Sequence, residues 1–65
     1  MSARRLITTA ELARILGLAP RTIQRYRRLG WLVPAEVSMG GHARWDVEDV
    51  RVQMRERRQQ EQDED

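Results

Sequence analysis

Apolar and polar positions along this chain fall into short blocks, each with its own period, separated by glycine and proline. Thr8-Thr9-Ala10-Glu11 reads as a capping box, in which Thr8 caps a helix and Glu11 reaches back from three residues on. Leu12, Ile15 and Leu16, helped by Ala13, then make one apolar stripe. The pattern predicts a helix over residues 9–16 that stops at Gly17. Leu6 and Ile7 just before it are expected to pack on the domain, and Leu18 just after it to plug the gap to the next element.

A second helix is predicted between Pro20 and Gly30. Proline suits a first helical turn, where its missing N–H costs nothing, and glycine suits the left-handed residue past the end. On a wheel of about 100° per residue, Ile23, Tyr26 and the aliphatic stem of Arg27 share one side, flanked by Thr22 and Leu29. Arg21, Gln24, Arg25 and Arg28 share the other. Such a front suits phosphates and the base edges of a major groove, although a solvated charged face has the same pattern. Two short helices joined by a glycine-containing turn form a helix-turn-helix signature.

Trp31-Leu32-Val33-Pro34 reads as the entry to a short strand, and Val37-Ser38-Met39 as a second extended piece. Gly40-Gly41 makes a tight turn, since both residues can take positive φ. His42-Ala43-Arg44-Trp45 leads out with strand-like alternation. The region is a small hairpin, or wing, and Trp31 and Trp45 are expected in the core. Asp46 caps a last helix, whose apolar face is Val47, Val50 and Met54. Beyond Met54 the chain is charged and glutamine-rich. The expected division is a single domain over residues 1–58 and an acidic, disordered tail over 59–65.

Length and composition narrow the function. A 65-residue chain forms one small domain, too small to shape a deep pocket. It has no cysteine and one histidine, which leaves no metal site, no cofactor and no catalytic constellation to expect, so it is not read as an enzyme. His42 is either a wing-tip contact or simply exposed. No apolar run approaches the roughly 20 residues of a membrane span, and the N-terminus lacks a secretory apolar stretch. The cytoplasm is the expected compartment, with no membrane partner. The formal net charge of +2 hides an asymmetry: residues 1–45 carry eight arginines against two acids, and residues 46–65 four arginines against eight acids. All twelve basic residues are arginine, whose planar fork fits phosphate and guanine. A GC-rich coding bias would give the same preference.

Thr9-Ala10-Glu11-Leu12-Ala13, Pro20-Arg21-Thr22-Ile23-Gln24-Arg25-Tyr26, Gly30-Trp31-Leu32, Gly40-Gly41-His42-Ala43-Arg44-Trp45 and Asp49-Val50, in that order, resemble the MerR-like winged-helix domains. The resemblance covers roughly residues 6 to 54 and is to the small members: bacteriophage excisionases, or recombination directionality factors, and BldC-type regulators. It implies a mainly α fold, a winged helix-turn-helix with two short helices, a small two-stranded wing and a C-terminal helix. It also implies that the second helix enters the major groove of double-stranded DNA through Arg21, Thr22, Gln24, Arg25 and Arg28. The wing would reach a neighbouring backbone or minor groove through Gly41, His42 and Arg44. Two positions depart from the family pattern: Ala19 replaces a polar helix cap, and Ala43 replaces a second basic wing residue.

The resemblance implies an excisionase-like, sequence-specific DNA-binding factor, bacterial or phage-encoded. It would bind repeated sites cooperatively, bend DNA and direct an integrase. Copies of the chain would line up head-to-tail, the acidic end of one meeting the basic part of the next, with no small-molecule effector. A BldC-type transcription regulator and a protein-binding adaptor module remain as alternatives; the absence of added domains leans towards the excisionase.

Overall fold

A computed structural model describes residues 5–63 of the chain. The elements in order are β1 (Ile7–Thr8), α1 (Thr9–Leu16), α2 (Pro20–Arg28), β2 (Glu36–Val37), β3 (Ala43–Trp45) and α3 (Val47–Asp63). The fold is a winged helix-turn-helix, as the sequence pattern and the resemblance imply.

Each helix end has a local cause. The Thr8 hydroxyl accepts the Glu11 N–H at 3.2 Å, and the Glu11 carboxylate accepts the Thr8 N–H at 3.2 Å, which completes the capping box. Gly17 is left-handed at φ +73°. Its N–H donates to the Arg14 carbonyl, and the Leu18 N–H donates to that of Ala13 at 2.8 Å. The same closure recurs after α2. Gly30, at φ +80°, donates to the Arg27 carbonyl at 3.0 Å, and Trp31 donates to that of Tyr26 at 2.8 Å. Both are the glycine-terminated ends that satisfy orphan carbonyls. At the start of α2, Ala19 makes no side-chain cap bond, and Pro20 occupies the first turn. Asp46 caps α3, its carboxylate accepting the Asp49 N–H at 3.2 Å.

The strands form one antiparallel sheet in the order β1-β3-β2. Ile7 stands opposite Trp45 and Thr8 opposite Arg44, while Glu36 also stands opposite Arg44 and Val37 opposite Ala43. The expected two-stranded wing is therefore extended by the residues entering α1. Alternation sends Ile7, Ala43 and Trp45 into a core shared with Leu12, Ala13, Ile23, Leu32 and Val50. Leu16, Leu18, Tyr26, Val47 and Met54 pack around it. The fully buried Trp45 places its indole N–H on the Thr9 hydroxyl at 3.0 Å; leaving that donor unpaired would cost about 1–3 kcal/mol.

Several expectations are corrected. Trp31 is not core: it is 38% exposed, with its ring 5.3 Å from that of Tyr26 and the Arg57 guanidinium 4.5 Å above it. The turn at Gly30 directs the indole back along the surface of α2, and the arginine covers it. Residues 31–34 form no strand, because the Gln53 side chain takes the Val33 backbone. Its carbonyl accepts the Val33 N–H at 2.8 Å, and its amide donates to the Val33 carbonyl at 3.0 Å. Ile15, expected within the apolar stripe of α1, is half exposed at its edge, as is Leu29, which flanks the stripe of α2. At the wing turn Gly41 has positive φ, +83°, and Gly40 does not. The backbone of α3 is helical through Asp63, in keeping with the helix propensity of its arginine, glutamine and glutamate residues. Residues 1–4, 64 and 65, including Arg4 and the last two acids of the tail, lie outside the described residues.

Candidate nucleic-acid interface

Three pieces of backbone meet on one side of the molecule: the start of α1, the middle of α2 and the outgoing strand β3. Between them runs an open groove of about 480 Å³ lined by Thr9, Gln24, Arg27, Gly41, His42 and Arg44, among others. The register of the sheet explains the membership. Ala43 and Trp45 turn inward, so Arg44 between them must turn outward. The Trp45 bond to Thr9 then ties β3 to the first turn of α1. Two walls of the groove are thus fixed to each other by a buried side chain.

The third wall is α2. Ile23 is fully buried, and that anchors the helix with the opposite face outward. Arg21, Gln24, Arg25 and Arg28 are all exposed, and Thr22 is half-buried. Gln24 is the member of this set that joins the wing residues in the groove; Arg21, Thr22, Arg25 and Arg28 lie outside its lining. The eight residues singled out in the sequence thus divide into a strip along α2 and a groove between α2 and the wing, with Gln24 at the junction.

The wing turn is held by its own backbone. Ser38 donates to the His42 carbonyl at 3.0 Å, and Gly41 donates to that of Ser38 at 2.9 Å. The His42 N–H donates to the Ser38 hydroxyl at 3.2 Å. The imidazole lies against Gly40, where an added Cβ would stand 3.2 Å from its Cδ2. Gly40 therefore seats the His42 ring, while Gly41 supplies the left-handed backbone. His42, Gly41 and Arg44 are exposed. Ala43 is 7% exposed, so the position where relatives were expected to carry a second base faces the core of this chain.

Sequence reasoning missed two contributors. Arg27 was placed by its stem on the apolar side of α2, yet it is exposed and lines the groove. Its position depends on where β3 returns, which no helical wheel contains. Gln53 does not line the groove but clamps the segment between α2 and the wing, and it is itself held by a bond to the Asp49 carboxylate at 3.0 Å. A glutamine at an unremarkable helical position carries no sequence signal for that role.

The groove offers cations, amide groups and glycine backbone, the groups that contact phosphate and base edges. Among the described residues, no cluster of His, Cys, Asp and Glu could hold a metal ion, and no helix is long and apolar enough to cross a membrane. The Glu11 carboxyl, at the capping box of α1 and outside the groove lining, titrates below its ordinary value, chiefly because the Thr8 backbone and hydroxyl bond to its charged form, aided by Arg5 and Arg14.

Residues 7–61 match the family model of the MerR HTH family regulatory proteins, and the chain belongs to that family. No curated protein and no solved structure matches it. Membership agrees with the fold and makes this a helix-turn-helix protein of a DNA-binding regulatory family.

Proposed function

We propose that this chain binds double-stranded DNA sequence-specifically, with α2 in a major groove and the turn between β2 and β3 against the adjacent minor groove or backbone. The observation that carries the reading is the continuity of the surface. Arg21, Arg25 and Arg28 form an exposed strip along α2, and it runs through Gln24 into the groove that holds Arg27, His42 and Arg44. On this reading Arg25, Arg28 and Gln24 read bases, and Thr22 and Arg21 meet phosphates near the start of α2. Gly41 lets the backbone approach, and Arg44 enters a narrow minor groove.

The finer role we propose is excisionase-like: several copies side by side on repeated sites, bending the duplex so that an integrase is directed. The charge distribution supports such an array, with the excess of arginine in residues 1–45 and the excess of acid in residues 46–65. A head-to-tail contact between unlike ends does not close and can extend along DNA. Bending a site of 20–30 base pairs costs of order 1–6 kcal/mol, which cooperating copies can offset. The regulatory description of the family favours a second reading, a BldC-type transcription regulator with the same DNA-binding mode.

Footprinting on a duplex with repeated half-sites tests the array. Cooperative filling is expected, and it is lost when one repeat is moved by half a helical turn. Independent filling at both spacings contradicts it. Assaying the same chain for excision with an integrase and for repression of a reporter separates the two roles.

A further inference from the structure

Met39 is the most exposed large apolar side chain among the described residues, with 109% of its reference surface in solvent. It stands at the first central position of the turn from Ser38 to Gly41, between the strands of the wing. Turn positions of this kind favour small polar residues, and Met39 has no place in the core. Its backbone is nonetheless held by the Gly41 to Ser38 bond and the two bonds between Ser38 and His42. Around it the wing is thin. Gly40 and Gly41 have no side chains, and the His42 ring folds down onto Gly40. The result is an unbranched apolar side chain on a narrow, hydrogen-bonded tip, beside the groove-lining Gly41, His42 and Arg44.

We propose that Met39 is a wedge that enters the minor groove and partly unstacks one base step, kinking the duplex. The proposal rests on the DNA-binding mode above and names the residue that produces the bend. Proteins that kink DNA from the minor groove insert apolar side chains, methionine among them, between base pairs, with kinks of about 20–90° towards the major groove. The ligand chemistry is a flexible pyrimidine–purine step, TA or CA, where unstacking is cheapest. Arg44 and His42 hold the flanking phosphates or groove floor while the thioether slides between the bases. The flexibility of methionine lets it follow the step as it opens.

The test uses the full chain and duplexes of about 30 base pairs, the span of a bent site, selected from a random-sequence pool by that chain. Fluorescent aminopurine replaces the adenine of each TA and CA step in turn, and energy transfer between dyes on the duplex ends reads the bend. The expected result is a rise in aminopurine fluorescence at one step, together with a shorter end-to-end distance. Met39→Leu keeps both. Met39→Ala and Met39→Gln lose both, while retaining the parent's salt slope and circular dichroism. A parent that binds with no rise at any step overturns the wedge and leaves the binding mode standing, as does an unchanged rise in Met39→Ala. Failure of the parent to enrich any duplex contradicts the DNA-binding reading itself.

Discussion

Arg44 has Thr8 across from it on one side and Glu36 on the other. A carboxylate directly across a strand pair attracts the guanidinium, and it also repels any phosphate that the guanidinium approaches. If Arg44 holds one phosphate, Arg44→Ala lowers the salt slope of duplex binding by about one unit. Glu36→Gln moves affinity the other way, upwards, because a like charge leaves the phosphate surface. Titrations at several salt concentrations check both, and a slope for Arg44→Ala equal to the parent's removes Arg44 from the interface. At this scale the sequence told Ile23 from its polar neighbours, because one helical period orders them all. It could not tell Trp31 from Trp45. Both are large and apolar, and only the turn at Gly30 and the return of β3 make one a surface ring under Arg57 and the other the centre of the core.

The helices were legible as elements because their ends carry chemistry. The Thr8–Glu11 box, the two glycine closures and the Asp46 cap are all residue types with a positional cause. The strands were legible only in part. A two-residue β1 has no period to read, and the segment after Gly30 looked strand-like until a side chain from α3 took its backbone. The first cap gives a pH signature. Glu11 is held below its ordinary value of 4.5 by hydrogen bonds to its charged form. Its contribution to stability is thus fully present above 4.5 and is lost as pH falls through the lower folded value. Glu11→Gln can still accept the Thr8 N–H, so it should remain folded at neutral pH with a shallower loss of stability below pH 4.5. Urea midpoints measured from pH 7 to pH 3 check this, and identical pH profiles for parent and variant contradict it.

Across the whole molecule, basic and acidic residues are segregated along the chain while the core is shared. Among the described residues, Met54 is the last apolar side chain along the chain that packs against that core. Truncation after Arg58 removes Glu61, Asp63, Glu64 and Asp65 and shifts the formal charge from +2 to +6. The truncated chain should keep its helical circular dichroism apart from the lost residues, and its DNA affinity should hold or rise; unfolding would show that the segment packs. Assembly on DNA is expected from chains that are monomeric in solution, since the apolar face of α3 gives no heptad seam long enough for a coiled coil.

The central claim is that the exposed face of α2 carries sequence-specific affinity for duplex DNA. Its most direct test is the binding of Arg25→Ala and Arg28→Ala, beside the parent, to a selected and a scrambled duplex, with circular dichroism of each protein. The account predicts native spectra, weaker binding in both variants, and a loss of about 1–3 kcal/mol of discrimination wherever the lost arginine reads a guanine. Unchanged affinity and discrimination in both folded variants would contradict it.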